Sequence, residues 1–443
     1  MDTLEEMGAQ PERALSCTRG LVVELDEEQV NDERLSKSNG YKLTIYDKIP
    51  HEQQQQQQRL LKGISNNIAI GVANENGQKT CQCGEYIGGG CTLTASDVDE
   101  MKAHIIETIV NWPTITFGAE DAVDAVGQLL RLAFHDRASF SRDSRNTLNG
   151  LNGCLDLTDP RNSGLEGVIE HVILETQTWV GPTGASGINK YVSKADITAL
   201  AGLAAFDHLY AQRKLEDDAD CDEDPECTTP TYPTYPYYDY QCGRIDILDD
   251  ESCAACETTF LPSPEGSGAT NIKDFHDIMS GRMKFTPREI TALMATHAFG
   301  RMKEANSGYL DAPWVRNAAA LSNTYFVLMF RISWIKNTRT VGDNTFTEWR
   351  GGRNRDLTYL NTDAILCFDI EDTETCDVFG GRTPNCVNNT AVSGQPFEGI
   401  KKQYGNACEE FAANEDAFLE ALIDAYIKMV NAAPCGTLVT PSS

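Results

Sequence analysis

The chain has 443 residues, room for one large helical domain with extensions or for two or three domains. Apolar residues make up 41% of it, an ordinary share for a chain that buries a core. Its 37 basic and 66 acidic residues leave a formal charge of −29, which repels phosphate backbones and argues against a nucleic-acid partner, and no apolar run is long enough to predict a membrane span.

Residues 1–95 read as an N-terminal extension, partly disordered. They hold a glutamine run, Gln53 to Gln58, and a Cys/Gly patch, CQCGEYIGGGC, from Cys81 to Cys91. The opening MDTLEEMGAQ is acidic and has no apolar h-region, so no signal peptide is expected there. From Ser96 the pattern turns helical, and a main domain is expected over 96–435, with 436–443 as a tail. Val123, Val126, Leu130 and Phe134 recur at three- and four-residue steps, which predicts a helix over 119–137. Arg131 and His135 lie four apart on it and share a face. On spacing alone, a surface arginine and a satisfied core histidine account for that pair at least as well.

A second helix is predicted from Ser193, where SKAD reads as a capping box ahead of Ile197, Leu200, Ala204 and Ala205. A Cys-rich acidic insertion over about 214–268 follows. Its tract CDEDPECTTPTYPTYPYYDYQC reads as a surface loop pinned by cysteines. Thr286-Pro287-Arg288-Glu289 combines a capping box with proline at the first helical position, two independent start signals for a third helix. Ile290, Leu293, Met294 and His297 share one face of it, and Gly300 is the expected stop. A core histidine with a backbone partner is again an adequate account of His297 by itself. A fourth helix, near 415–430, carries Phe418, Leu422, Ile423, Tyr426 and Val430. Strand-like alternation is scarce, so the fold class is mainly α.

Fifteen cysteines, most of them in polar, Gly/Pro-rich stretches, favour disulfides and an extracellular or secretory compartment. Cys253 and Cys256 form a lone CxxC, with no second pair at zinc spacing. The odd number leaves at least one cysteine without a partner in the chain. Cys154 and Cys367 are the candidates for free thiols.

Five segments in order carry a family resemblance. LLRLAFHD (Leu129 to Asp136) resembles the distal-helix motif of the plant, fungal and bacterial haem peroxidases. ITALMATHAFGRMKEANSGYLDAPW (Ile290 to Trp314) is similar to the proximal stretch of the cytochrome c peroxidases. DPRNSGLEG (Asp159 to Gly167), VSKADITALAG (Val192 to Gly202) with CGRID (Cys242 to Asp246), and LTYLNTDAIL (Leu357 to Leu366) fall in the same order. The resemblance implies a two-lobed helical fold with haem b between distal and proximal helices. It implies a peroxidase that reduces hydrogen peroxide through a ferryl intermediate at the expense of a reducing substrate.

The roles it implies can be justified chemically. His297 would be the axial iron ligand, with Asp363 accepting a hydrogen bond from its other ring nitrogen. His135 would take and return the proton of peroxide, Arg131 would stabilise the leaving oxygen, and Asn162 would orient His135. Phe134 would line the distal side, Trp314 would lie against His297, and Arg301 and Lys303 would sit near the haem propionates. Read without the resemblance, Asp363 suits a helix N-cap, Asn162 a turn, Trp314 a core position, and the two cations a helix C-terminus.

The sequence also departs from the family. Phe134 stands where the intracellular class has tryptophan. Ala298 follows His297 where the secreted classes have a calcium-binding threonine. Asn152 and Cys154 replace an aspartate and a serine of the distal calcium pattern, so calcium sites are not carried over. Asn306 occupies the position of the arginine in ascorbate peroxidases, and no carboxylate pair can be assigned to manganese. Two alternatives stay open: a secreted protein that keeps the fold without activity, and a peroxidase that oxidises a basic electron-transfer protein such as cytochrome c.

Overall fold

A computed structural model describes residues 86–88, 91–112, 122–138, 150–180, 188, 190–222, 240–247, 261–262, 264, 272–371, 375–391, 397–432 and 438–442. The described chain is mainly α. The calls on 1–85, on 119–121 and on most of the acidic insertion lie outside the described residues.

Helix starts follow local chemistry. In α1 (Ala95–Val110), Thr94 and Asp97 form a complete capping box. Helix α2 (Ala122–Arg137) buries Val126, Leu129, Leu130 and Ala133 and packs on α3 (Lys194–Asp222). Only half of the box expected at Ser193 forms. Ser193 Oγ accepts from Asp196 N at 3.0 Å, but the Asp196 carboxylate turns to Gly243 N at 2.8 Å and to the Arg244 guanidinium at 2.8 Å. A buried cation competes better for that carboxylate than the N-cap amide does.

At α4 (Pro287–Met294) both signals hold. Thr286 and Glu289 cap each other's backbone and Pro287 takes the first turn. The helix tightens into a 3-10 turn, Ala295–Phe299, which carries His297 and stops at Gly300. Helix α4 packs between two later helices, joined after α5 (Thr324–Arg331) and α6 (Asn361–Cys367) by α7 (Glu398–Ala413) and α8 (Glu415–Val430).

A four-stranded antiparallel sheet stands beside these helices. Strands Trp334–Val341 and Asn344–Gly351 form a hairpin, flanked by Leu357–Leu360 and Val378–Phe379. The sequence pattern conceals it for a physical reason. On the outer half of the hairpin Thr338, Thr340 and Thr345 are exposed, and the other face offers only Arg339 and Phe346 against Tyr309, so apolar/polar alternation is weak.

Two buried arginines tie the C-terminal helix to the first lobe. Arg137 donates from Nε to Met429 O at 3.1 Å, and Arg244 from Nε to Val430 O at 3.1 Å. These carbonyls belong to the last turn of α8, beyond the reach of the regular helical donors four residues on. Disulfides join Cys91 to Cys242, Cys367 to Cys408 and Cys376 to Cys386. Cys154 is also disulfide-bonded. The two cysteines expected to be free thiols are therefore both oxidised: Cys367 faces α7 from the buried side of α6, within reach of Cys408.

Helix α2 meets the segment after α4 at two glycines, Gly127 and Gly300. A Cβ on Gly127 would lie 2.9 Å from Gly300 Cα and 3.0 Å from the Phe299 carbonyl. Gly300 is extended (φ −158°), so here glycine answers a demand for space and not for backbone conformation.

Candidate active site

Arg131 and His135 leave the same face of α2 one turn apart, and one short loop holds both. Asp159 caps the 3-10 turn Pro160–Asn162, which sinks Asn162 completely into the protein. The Asn162 amide donates from Nδ2 to Asp156 O at 2.8 Å, which leaves Oδ1 aimed at His135 Nδ1, 2.9 Å away. That oxygen is an acceptor only, so Nδ1 carries the proton and Nε2 keeps its lone pair. Arg131 donates to Ser163 O at 2.9 Å and to Arg161 O of the same loop.

The surroundings keep His135 neutral. Burial, and then the positive charge of Arg131, push its imidazole down to about 3, with His297 and Arg161 adding smaller contributions, against the hydrogen bond that His135 donates to Asn162. Burial lowers Arg131 to about 10, so it stays a cation at neutral pH. Phe134 stands edge-on to His135, ring centroids 6.1 Å apart. Arg131, Phe134 and His135 are each partly accessible although they sit on the inward side of α2, as side chains lining a cleft do.

His297 lies near enough to belong to the electrostatic surroundings of His135. Its Nδ1 lies 2.8 Å from Asp363 Oδ1. Asp363 is fully buried and is the third residue of α6, not its cap. It nonetheless does part of a cap's work, since Oδ2 accepts from Leu360 N at 2.7 Å. Trp314 donates from Nε1 to the same Oδ2 at 2.8 Å, and its ring stacks on His297 at 4.6 Å and 26°. His297 Nε2 has no hydrogen-bond partner among the described residues, and 33% of the side chain is exposed.

Arg301, in the short strand Arg301–Met302 that follows His297, and Lys303 just after it reach back to α2. Asp124 receives them, Lys303 at 2.9 Å and Arg301 at 3.4 Å. The candidate site residues thus fall into three bonded groups, Arg131 and His135 with the Asn162 loop, His297 with Asp363 and Trp314, and Arg301 and Lys303 with Asp124. Two further participants escaped the sequence reading. Tyr325 donates to Asp363 Oδ1 at 2.6 Å, and Asp124 bridges the lobes. Neither has a local signal: Tyr325 reads as one more core aromatic of an apolar helix, and Asp124 as a helix N-terminal acid.

A family model described as Peroxidase matches residues 113–371, more than half of the chain. The "Putative heme-binding peroxidase" of Cryptococcus neoformans is 30% identical over 46% of this chain and 52% of its own length. A protein of the same name from Gibberella zeae is 27% identical over 64% of this chain and 72% of its own. "Cytochrome c peroxidase, mitochondrial" of Candida albicans is 26% identical over 51% of this chain and 48% of its own. The chain therefore spans about half the length of two of these relatives and 72% of the third.

Proposed function

Because the chain belongs to the peroxidase family, we propose that it is a haem-dependent peroxidase that reduces hydrogen peroxide to water and oxidises a donor. The observation that carries this reading is a pair of histidines, close enough to interact electrostatically, each with its own hydrogen-bonded support. One has a free lone pair at Nε2 and a buried carboxylate behind it; the other is held neutral beside a cation.

These residues suit a haem. An imidazole whose far nitrogen donates to a carboxylate is a strong axial iron ligand, because the carboxylate fixes the ring and raises its basicity. Arg301 and Lys303 both reach Asp124, and cations placed there would suit the haem's own carboxylates. Bound there, haem would supply the iron at which peroxide is activated and the redox equivalents passed to the donor.

The chain's own residues would handle the protons and charge. His135 Nε2, unprotonated, would take a proton from the near oxygen of peroxide and return it to the departing oxygen. Arg131, fixed by two carbonyls, would face the negative charge that develops on that oxygen. Asn162 would keep the His135 ring turned correctly through both transfers. Phe134 would keep the distal wall apolar.

An absorbance spectrum of the purified protein, followed through a peroxide titration with a panel of donors, tests the reading. Protein that binds haem and consumes no peroxide in the presence of any donor would overturn it. A decayed enzyme has no reason to keep Arg131, His135, Asn162, His297 and Asp363 together in bonded contact.

One observation favours a particular donor class. A charge of −29 would draw a basic protein, and a relative is named for cytochrome c. On this second reading, oxidation of reduced cytochrome c falls steeply with added salt. The disulfides fit an oxidising compartment.

A further inference from the structure

The Asp363 carboxylate carries more hydrogen bonds than its link to His297 requires, and the donors are paired oxygen by oxygen. Oδ2 accepts from Trp314 Nε1 and Leu360 N. Oδ1 accepts from His297 Nδ1 at 2.8 Å and from the Tyr325 hydroxyl at 2.6 Å. Tyr325 and His297 therefore draw on the same oxygen.

Tyr325 is pinned in that contact. It is fully buried on α5. Its ring meets Phe326 and Tyr359 edge-on, each at 5.0 Å, and the Tyr359 hydroxyl donates to the Tyr325 carbonyl. A phenol has one proton to donate, and here it goes to Asp363.

We infer that Tyr325 is a positioning residue that limits how strongly His297 donates electrons from Nε2, by competing with it for Asp363 Oδ1. The inference rests on the reading of His297 as the haem ligand. A charge-assisted O–H···O⁻ bond is short and strong, and it withdraws electron density from the oxygen that accepts it. The Nδ1–H···Oδ1 bond is weaker for it, and the imidazole less anionic. Removing the hydroxyl leaves more density for His297 and leaves the buried carboxylate charge less neutralised. Both changes favour the higher oxidation state of an iron bound at Nε2.

The test is Tyr325→Phe, which deletes one oxygen and keeps the ring packing. In the haem-loaded protein, a spectroelectrochemical titration reads the Fe(III)/Fe(II) midpoint, and resonance Raman of the ferrous form reads the iron–histidine stretch. The midpoint is expected to move to more negative values and the stretch to higher frequency. Placing 3-fluorotyrosine at position 325, a stronger donor of nearly the same size, should move both the other way, and serves if Tyr325→Phe does not fold. In an Asp363→Asn background, Tyr325→Phe should shift neither, because the shared anionic oxygen is gone. Unchanged midpoint and stretch in the single variant, or an equal shift in both backgrounds, would overturn the inference. If the wild-type protein takes up no haem, the assignment of His297 as ligand fails instead. The competition is then read from the proton NMR signal of His297 Nδ1–H, which should move downfield in Tyr325→Phe; an unmoved signal overturns it.

Discussion

Oδ1 of Asn162 sits 2.9 Å from Nδ1 of His135 because the other end of the amide is spent on the Asp156 carbonyl. An amide turned the other way would present a donor to His135 and force the opposite tautomer. The state of the imidazole at the cleft is thus settled by a backbone oxygen six residues before Asn162.

His135→Ala should slow the reaction with peroxide by about 10²- to 10⁴-fold, the usual worth of a positioned acid–base group. Stopped-flow absorbance reads the rate, and haem content should be unchanged. Asn162→Ala keeps the imidazole and loses only its orientation, so its loss should be smaller. Equal rates for wild type and His135→Ala would remove His135 from the chemistry.

The pH profile follows from the sign of one shift. His135 is depressed to about 3 from an ordinary 6.5, so the proton-accepting form persists far into the acid. The rate of reaction with peroxide should stay flat through pH 6.5 and fall only on approaching the lowered value. The same shift affects stability. The unfolded chain takes up a proton below pH 6.5 while the folded one resists, so this stabilisation is intact above 6.5 and is lost as pH falls towards 3. Denaturant midpoints measured across that window should slope less in His135→Ala.

Gly127→Ala should destabilise the fold by about 1–3 kcal/mol, since the new methyl meets the backbone of the opposite segment and not a side chain that can move. Calorimetry should show a lower Tm, and Gly127→Ala should also weaken haem uptake by spreading the cleft. A Tm equal to wild type would mean that the two segments give way freely.

Replacing Cys367 and Cys408 together by alanine should cost about 2–4 kcal/mol, the range for a native disulfide. Cys367 lies four residues after Asp363 on α6, so loosening that helix should also raise the rate of haem loss to an acceptor apoprotein. A change in stability with no change in haem loss would separate the disulfide from the site.

What sequence could disclose follows the reach of each interaction. Thr286, Pro287 and Glu289 act within one turn, and their helix starts where they indicate. Arg131 and His135 act across one turn, and their shared face is present. The Asp196 carboxylate shows where local reasoning stops, because Arg244, 48 residues away in sequence, claims it. Tyr325 and Asp363 are separated by 38 residues, and Asp124 and Lys303 by 179. Nothing in the neighbourhood of either member announces the other.

The anchoring of Arg137 and Arg244 on the carbonyls of Met429 and Val430 has a consequence for the order of assembly. Arg137 is the last residue of the helix that bears Arg131 and His135, yet the acceptor for its Nε is made nearly 300 residues later. Until the 415–430 segment leaves the ribosome, Arg137 Nε lacks the Met429 carbonyl to which it donates in the folded protein. The anchoring of the helix that bears Arg131 and His135 is therefore completed late in synthesis, although the helix is encoded early. If the chain binds haem as proposed, nascent chains halted before Glu415 should retain it less well than the full chain.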